Sequence, residues 1–407
     1  MDIINQNFRN KGYIAKQEGS VKFLIYETDD DKIPSKSMNV FYNKRMDINR
    51  DISILAILAY NKLFNQEPLV IVDSMAASGI GSLRMLKNIK NIEKFYINDI
   101  NPDAVKLIEE NLELNKLKSG KIELVNLDAN LLFSEISQYS VIPNVVSIDP
   151  FGTPNLYIDS ALKSIKKEKG LLCVTATDTA VLFGVKPTVC IRKYMSKPLH
   201  TDYCKEIGAR ILLSFISRIA NINNIGIIPL FTFYANHFIR VFVLTFKGNS
   251  KILKALPKSY GFIVHCKNCG DRSTIIENLL KLPQKCSVCS SNSHLSYSGP
   301  LWVGDLHQTS FLQELDFLNE KFNFKNKGRI QKILKFALGE IDMSIAYYNI
   351  HKISQQLKLS FIPKLKDIIT LIEENGFKAS RTHFDFISIK TDMKINRLKE
   401  ILIKTNK

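Results

Sequence analysis

Residues 145–154 read VVSIDPFGTP, and this stretch decides the architecture that we expect for the chain. The run VVSI predicts a short buried strand, which ends in a carboxylate, a rigid proline, an aromatic ring and a glycine. In open α/β folds, ligands bind at the carboxyl edge of the sheet. We therefore expect Asp149, Pro150 and Phe151 to present an acid and a flat stacking surface to a ligand at that edge.

An acid next to an aromatic ring suits a planar base whose exocyclic amine must lose a proton. The carboxylate of Asp149 can accept that proton, with the carbonyl of Pro150 as a second acceptor. Phe151 can stack on the base, and such stacking contributes about 1–3 kcal/mol. The alternative for Phe151 is a core aromatic residue below the loop.

Strand-like and helix-like segments alternate on both sides of this stretch. Repeated βα units of this kind predict a doubly wound parallel sheet. Two longer apolar runs follow and predict an antiparallel hairpin that closes the sheet. The predicted strands lie at residues 69–72, 95–98, 122–125, 145–148, 171–175, 225–234 and 238–246.

Four successive predicted strands each end in an acid, namely Asp73, Asp99, Asp128 and Asp149. Carboxylates at that edge can accept hydrogen bonds from the hydroxyl and amino groups of a nucleoside ligand. Each acid alone is also typical of a helix N-cap, so this alternative stays open for any one of them.

The loop at residues 73–81 reads DSMAASGIG. Small residues and glycines before a helix let a ligand approach the backbone closely. We name Asp73, Ser78 and Gly79 as candidate cofactor contacts, although an ordinary tight turn explains the loop equally well.

Four of the seven cysteines form two C-x2-C pairs, separated by sixteen residues. Two such turns can direct four thiolates at one tetrahedral zinc ion. The alternatives are a pair of disulfides or a redox motif, and the absence of a secretory signal argues against disulfides. The predicted zinc ligands are Cys266, Cys269, Cys286 and Cys289.

The chain has 407 residues and a formal charge of +17, of which +11 lies in residues 250–407. A chain of this length is expected to divide into domains. The basic excess favours a polyanionic partner, with nucleic acid as the leading class. Neither a membrane span nor a signal sequence is expected, which predicts a cytoplasmic protein. No obligate protein partner is inferred.

The part that follows residue 310 predicts helices and then two short strands, with lysines and arginines interspersed. This order favours a winged-helix-like α+β module that contacts RNA phosphates.

Several segments along the chain together resemble the tRNA (guanine-26 N2)-dimethyltransferase family. The resemblance implies a class I Rossmann-like methyltransferase domain, S-adenosylmethionine as cofactor, and tRNA as partner. It implies transfer of one or two methyl groups to the N2 amine of guanine 26. The matching segments are FYNKRM at 41–46, NRD at 49–51, SGI at 78–80, ND at 98–99, DA at 128–129, DPFG at 149–152, VTATD at 174–178, RKY at 192–194, GPLW at 299–302 and RTHF at 381–384.

The resemblance also assigns roles by position. Asp149 is the expected catalytic acid, and Phe41 and Phe151 are expected to flank the target guanine. Arg381 and His383 are expected on the substrate-binding side. The implied cofactor contacts are Arg50, Asp99, Asp128 and Ala129. For Arg50, a structural ion pair with Asp47 or Asp51 is the alternative.

The chain departs from the family pattern at three places, one of which is the segment TAVLFG at 179–184, where a cysteine-bearing version is expected. Lys44 stands where proline is usual, and Gly81 stands where arginine is common. Arg84, one helical turn beyond Gly81, is a candidate substitute. The role of Asp178 is left open.

The expected segments are a methyltransferase domain with an N-terminal extension at 1–250, a zinc ribbon at 251–309 and a tRNA-binding domain at 310–407. One alternative is another amino-group methyltransferase, acting on ribosomal RNA guanine or on adenine N6. The other is a non-catalytic zinc-containing RNA-binding protein.

Overall fold

The computed structural model describes residues 12–30, 37–139, 141–276 and 283–405. The chain divides into two compact units. The first comprises Met1–Thr177, Phe242–Lys247 and Gln313–Ile330, and the second comprises Asp178–Val241, Gly248–Leu312 and Gln331–Lys407. Two of these unit boundaries fall close to the expected segment boundaries at residues 250 and 309, which remain predictions.

The largest sheet has seven strands in the order β5-β4-β3-β6-β7-β9-β8. Its pairs β5/β4, β4/β3, β3/β6 and β6/β7 are parallel. The strands are β3 (Leu69–Asp73), β4 (Ile92–Asn98), β5 (Ile122–Val125), β6 (Val145–Ile148), β7 (Leu171–Ala176), β8 (Ile225–Ala235) and β9 (Phe238–Lys247). The predicted α/β fold class is confirmed.

Buried strands alternate with amphipathic helices along the first unit, as the βα pattern requires. Strands β3, β6 and β7 are buried at every position, which is typical of parallel strands covered on both faces. The helices between residues 47 and 164 are α1 (Asp47–Leu63), α2 (Ile80–Asn88), α3 (Pro102–Leu114), α4 (Ala129–Ile136) and α5 (Ile158–Ser164).

An antiparallel hairpin precedes the sheet, formed by β1 (Tyr13–Glu18) and β2 (Val21–Tyr26). Its core residues Tyr13 and Leu24 pack with Leu107 of α3. The Leu24 amide also donates a hydrogen bond of 2.6 Å to Asn111 on the same helix. The hairpin is therefore fastened to the α/β layer rather than extended from it.

The second unit contains two small antiparallel sheets, in the orders β11-β10-β12 and β13-β15-β14. Their strands are β10 (Gly261–Cys266), β11 (Arg272–Ile275), β12 (Leu295–Leu301), β13 (Tyr348–Asn349), β14 (Ala379–Arg381) and β15 (Ser388–Thr391). The remaining helices are α6 (Thr179–Leu182), α7 (Pro187–Tyr194), α8 (Cys204–Ile222), α9 (Asn249–Ser259), α10 (Thr309–Lys321), α11 (Lys327–Gly339), α12 (Ile350–Gln356), α13 (Leu365–Glu374) and α14 (Ile395–Lys404).

One apolar cluster joins the cysteine-bearing turns to the C-terminal helices and strands of the second unit. Ile395 and Leu398 of α14 belong to its buried core, and Cys269 and Val288 pack against it. In the described part of the chain, every helix is too short or too polar to cross a lipid bilayer.

Candidate active site

The four predicted acids follow four adjacent strands, because β5, β4, β3 and β6 are neighbours in the sheet. The chain runs from β3 outward to β5 and then returns to β6 on the other side of β3. Ligands of doubly wound sheets bind at such a reversal of strand order. Asp73 ends β3, and Asp99 and Asp149 immediately follow β4 and β6.

The loop after β3 approaches α3 closely. Gly79 has a φ of 74°, and a Cβ atom there would lie 2.8 Å from Cγ1 of Ile108. The carbonyl of buried Ser78 accepts a hydrogen bond of 3.1 Å from Asn111 on α3. Asp73 accepts one of 2.6 Å from the Ser82 hydroxyl. Glycine is therefore required at position 79 for both conformation and space.

Asp99 is held by backbone amides rather than by cations. One carboxylate oxygen accepts from the Ala77 amide at 2.8 Å, and the other accepts from the Asn101 amide at 2.9 Å. Burial raises the pKa of Asp99, and these backbone hydrogen bonds partly oppose the rise. The orientation of the carboxylate is therefore fixed by the loops that precede α2 and α3.

Among the four acids, Asp128 alone is a helix N-cap, and it accepts from the Asn130 amide at 2.8 Å at the start of α4. Ala129 is buried beside it. The N-cap of α2 is Gly79, and that of α3 is Asn101. The cap alternative raised by the sequence therefore holds for Asp128 but does not explain the other three.

Asn98 links the loops at this edge, a role that sequence reasoning missed. Its side-chain amide donates to the carbonyls of Ser74 at 2.9 Å and Leu127 at 3.0 Å, and its oxygen accepts from the Leu127 amide at 3.0 Å. Asn98 is fully buried. The sequence marked Asn98 only as part of the ND segment at 98–99, and its partners could not be predicted because they are distant in sequence.

Asp149 is partly exposed at the end of β6 and accepts a hydrogen bond of 3.0 Å from the side-chain amide of Asn49 in the first turn of α1. Pro150 behind it is buried. The next residues turn sharply, since Gly152 has a φ of 91°. The Gly152 amide donates to the Thr177 hydroxyl at 2.7 Å, and the Thr177 amide donates to the Gly152 carbonyl at 3.0 Å. Thr177 therefore clamps the loop.

Phe151 is 47% exposed. Its ring meets that of Phe41 edge to face, with centroids 4.4 Å apart and planes at 82°. The structure thus brings the two predicted flanking rings together beside Asp149. A base stacked between them requires the rings to separate.

Arg50 pairs with Glu18 of the hairpin, not with Asp47 or Asp51. Its Nε and Nη2 donate to the two Glu18 oxygens at 2.7 and 2.6 Å. This partner was not predicted. Burial alone would lower the pKa of Arg50, but Glu18 raises it above its usual value.

Arg84 joins the same network. It donates to Glu18 at 2.8 Å and also pairs with Asp51, and its side chain is almost completely buried. Burial would raise the pKa of Glu18, yet the two arginines lower it below 4.5. Arg84 is thus committed to two carboxylates, and its suggested replacement of a family arginine stays a prediction.

The residues predicted on the substrate side lie in the second unit. Arg381 donates to the carbonyl of Phe386, and its guanidinium lies 4.8 Å from the ring centre of Phe336. His383 is buried and contacts Glu340 at 2.7 Å through Nδ1. Their RNA contacts stay predictions, and the burial of His383 favours an internal structural role.

The four predicted zinc ligands converge. The sulfur atoms of Cys266 and Cys289 lie 3.6 Å apart, as do those of Cys269 and Cys286. The four ligand atoms all lie within 4.8 Å of one another. Zinc–sulfur bonds of about 2.3 Å in a tetrahedron separate the sulfurs by about 3.8 Å, whereas a disulfide requires about 2.05 Å. The donor set therefore fits one zinc ion and not two disulfides.

A second group of donors, His307, Glu340 and His383, lies within the same 4.8 Å limit. Here Lys390 contacts Glu340 at 3.2 Å and Glu206 at 2.9 Å, so a cation is already present. A metal ion would add positive charge beside this buried ammonium group. We interpret this group as an internal ion-pair network.

Comparisons with known proteins agree with this geometry. The family model described as N2,N2-dimethylguanosine tRNA methyltransferase matches residues 19–403. A Methanosphaera stadtmanae protein named tRNA (guanine(26)-N(2))-dimethyltransferase is 36% identical over 387 residues, covering 95% of this chain and 96% of the relative. An Aquifex aeolicus protein named tRNA (guanine(26)-N(2)/guanine(27)-N(2))-dimethyltransferase is 33% identical over 381 residues, covering 93% and 92%.

A solved structure is similar over the same extent. Trm1 from Pyrococcus horikoshii, in complex with S-adenosyl-L-methionine, matches with a TM-score of 0.81 at 31% identity, covering 95% of this chain and 99% of that one. These matches favour the family predicted from the sequence over both alternatives. The chain therefore belongs to the N2,N2-dimethylguanosine tRNA methyltransferase family, and it is an S-adenosylmethionine-dependent methyltransferase of tRNA guanine N2.

Proposed function

We propose that this enzyme methylates guanine 26 of tRNA once or twice, with Asp149 as the group that accepts the amine proton. The observation that carries this proposal is the Asp149 carboxylate, which is held by Asn49 and lies in the same loop as the exposed ring of Phe151. We keep a cytoplasmic location as part of the proposal.

The N2 amine of guanine is a poor nucleophile because its lone pair is conjugated with the ring. A carboxylate that accepts a hydrogen bond from this amine increases electron density on nitrogen and takes the proton as the new bond forms. Asp149 serves this role, and the carbonyl of Pro150 supplies a second acceptor. Proton transfer by a positioned side chain contributes about 10²- to 10⁴-fold to the rate.

The cofactor-binding role falls to the strand ends that meet at β3. S-adenosylmethionine supplies an electrophilic methyl group on a positively charged sulfur when it is bound. The carboxylates of Asp99 and Asp128 offer acceptors for hydroxyl and amino groups. The close approach at Gly79 and Ser78 is made by α3, so cofactor contacts of Asp73, Ser78 and Gly79 stay predictions. The two acceptors Asp99 and Asp128 fit the hydroxyl and amino groups of a nucleoside.

Arg50 is proposed to face the amino-acid carboxylate of the cofactor, since a guanidinium fork suits a carboxylate. Its Nε and Nη2 already bind the two Glu18 oxygens, so Glu18 orients the guanidinium and the cofactor would meet its Nη1 side. The hairpin thereby contributes to the site.

The two aromatic rings are proposed to hold the target base. They touch in this structure, so the base enters only after they separate. Phe151 is the more exposed ring and is the one that we expect to move. Stacking on both faces then aligns the amine with Asp149 and excludes water.

The four cysteines of the second unit are proposed to bind one structural zinc ion. Backbone amides support the thiolates, since the Asp271 amide lies 3.4 Å from the sulfur of Cys269 and the Val288 amide lies 3.4 Å from that of Cys286. Amides that donate to sulfur are typical of such turns. The apolar cluster that includes Cys269 and Val288 makes this site part of the C-terminal core.

The C-terminal part is proposed to bind tRNA through its basic surface, since +11 of the formal charge lies in residues 250–407. Contacts to phosphates position an RNA without reading its sequence. Arg381 remains a candidate contact.

The decisive experiment is transfer of labelled methyl groups to unmodified tRNA transcripts, followed by nucleoside analysis. One transcript carries guanine at position 26 only, one at position 27 only, and one carries adenine at 26. Position 27 is included because the Aquifex aeolicus relative is named for both positions. We expect N2-methylguanosine and N2,N2-dimethylguanosine from the first transcript and no product from the third. Product from the position-27 transcript alone would refute the proposed site.

A further inference from the structure

Asn49 is more than 95% buried, and its side chain contacts Asp149 across 100 residues of sequence. It lies in the first turn of α1, next to Arg50. Its side-chain oxygen is buried and has no hydrogen-bond partner within the described part of the chain. Other buried side-chain oxygens, such as Asn319 Oδ1, also lack a partner among the described residues, but Asn49 is the one whose amide contacts Asp149.

The chemistry of the pair fixes which end of the amide faces Asp149. An ionised carboxylate only accepts hydrogen bonds, so the NH₂ group of Asn49 must point towards it. The amide oxygen is therefore directed elsewhere and lacks a donor. Rotating the amide would bring two acceptors together and remove the one hydrogen bond that this side chain makes with the described residues.

We propose that Asn49 is the residue that distinguishes guanine from adenine, by accepting a hydrogen bond from guanine N1–H while it positions Asp149. This inference rests on the proposed role of Asp149. The two acceptors, Asn49 Oδ1 and the Asp149 carboxylate, lie on side chains that are hydrogen-bonded to each other at 3.0 Å. The proposal places both acceptors against the base, one at N1 and the other at N2.

This pair of acceptors matches one purine. Guanine presents two adjacent donors, N1–H and the N2 amine, and so satisfies both acceptors. Adenine presents an unprotonated N1, which would place a lone pair against Asn49 Oδ1, and it has no amine at C2. A site built to bind a donor strongly rejects an analogue that lacks it, because the protein acceptor is left unpaired. Asn49 is thus placed to read N1 while Asp149 reacts at N2.

The test is a cycle that combines the variant Asn49→Ala with a change in the RNA. The second transcript carries 2-aminopurine at position 26, which keeps the amine at C2 but has no N1–H and no O6. Rates of methyl transfer are measured under single-turnover conditions with saturating S-adenosylmethionine. The preference is the rate with the guanine transcript divided by the rate with the 2-aminopurine transcript. Where a rate is too slow to measure, the dissociation constants of the two transcripts are compared instead.

We expect the wild-type protein to prefer guanine over 2-aminopurine by about 10- to 100-fold, and Asn49→Ala to reduce this preference to within about 3-fold. The 2-aminopurine transcript also lacks O6, but this affects wild type and Asn49→Ala alike, so it cancels when their preferences are compared. If Asn49→Ala keeps the wild-type preference, the proposal is overturned. A preference that disappears only for this variant supports it.

Two further variants separate recognition from stability. Asn49→Asp keeps an acceptor for N1–H but cannot donate to Asp149 when it is ionised. We expect it to retain the preference for guanine while the absolute rate falls. It carries the test if Asn49→Ala fails to fold, and loss of the preference in Asn49→Asp would also overturn the proposal. Asn65→Ala is the matched control, because Asn65 is a buried asparagine bonded to Asn61 and to the Glu67 carbonyl.

The same assay distinguishes a failure of the proposed function from a failure of the proposal for Asn49. If wild-type protein does not methylate the guanine-26 transcript, the assignment of position 26 fails before Asn49 is tested. Affinity for S-adenosylmethionine, measured by calorimetry, should stay within about 2-fold in Asn49→Ala, because the proposal places Asn49 against the base and not against the cofactor. A large loss of cofactor affinity would instead indicate that Asn49 acts through Arg50 and would overturn the proposal.

Discussion

Replacing Asp149 with asparagine removes the proposed proton acceptor at almost constant shape. The amide oxygen of the new side chain can still accept from Asn49, which now donates 3.0 Å away to the Asp149 carboxylate. We therefore expect the fold to survive. The rate of methyl transfer should fall by about 10²- to 10⁴-fold, the range that a positioned general base contributes.

Asp149→Ala is a less specific variant. Among the described residues, it removes the one hydrogen-bond partner of the Asn49 side chain, which is 3% exposed. An unsatisfied buried polar group costs about 1–3 kcal/mol. For a folding unit of this size, that corresponds to a melting temperature roughly 2–10 °C lower. Comparing the two substitutions therefore separates lost chemistry from lost stability.

The assay is single-turnover transfer of labelled methyl groups, with tRNA affinity from filter binding and cofactor affinity from calorimetry. We expect both affinities to change by less than about 3-fold in Asp149→Asn, since the carboxylate acts in the reaction step. Asp159→Asn is the matched control, because Asp159 is an exposed acid on the next helix, paired with Lys163. A near-normal rate for Asp149→Asn would refute Asp149 as the proton acceptor.

Three further predictions concern groups that support the site. Thr177→Val removes the hydroxyl that accepts from the Gly152 amide at 2.7 Å. We expect methyl transfer to fall about 10-fold through a misplaced loop, with recovery in Thr177→Ser, as measured by single-turnover kinetics. Glu18→Gln breaks a buried ion-pair network and should lower the melting temperature at pH 7, whereas Glu113→Gln, at an exposed pair, should not. Because the folded-state pKa of Glu18 is lowered, its stabilisation is present above pH 4.5 and is lost as the pH falls through the folded-state value, so the melting curves of Glu18→Gln and wild type should converge in acid. Cys269→Ser should lose one equivalent of zinc by metal analysis, whereas Cys173→Ala should retain it, and zinc absent from reduced wild-type protein would contradict the ribbon.

The elements of the central sheet could be predicted from the sequence because their signal is local. The strand at residues 122–125 and the strand at residues 145–148 were predicted with the observed bounds, and neighbouring elements were placed within a few residues. Apolar runs bounded by turn residues determine such strands whatever lies next to them. The helices α6, α7, α9 and α14 were not predicted; α6 has four residues and α9 contains Pro257, which weaken the helical pattern of these two.

The acids of the candidate site were also predictable, since each follows an apolar strand and the topology of a parallel sheet brings the strand ends together. The supporting contacts were not. Arg50 binds Glu18, 32 residues earlier, and Asn98 contacts Leu127, 29 residues later. Such pairs depend on where a hairpin or a loop is fastened, and periodicity contains no information about that.

The same distinction explains why His383 was placed on the substrate side from the sequence. That placement came from the resemblance of the RTHF segment at 381–384, and only the tertiary structure shows Glu340 at 2.7 Å with both side chains buried. Burial would raise the pKa of Glu340, but His383 and Lys390 lower it far below its usual value. The negative charge of Glu340 is thus balanced by His383 and Lys390 within the second unit.

Both the local sequence and the tertiary structure are needed to recognise Asn49. Its sequence neighbours Arg50 and Asp51 mark the segment, yet its importance follows from a contact with Asp149 that only the fold creates. One side chain supplies a donor to the reacting carboxylate and leaves an acceptor for the base. Selectivity for guanine and activation of its amine would then depend on the same hydrogen-bonded pair, so a substitution that relaxes base selection should also slow the reaction. Variants of Asn49 that lose selectivity at full speed would show that the two properties are separate.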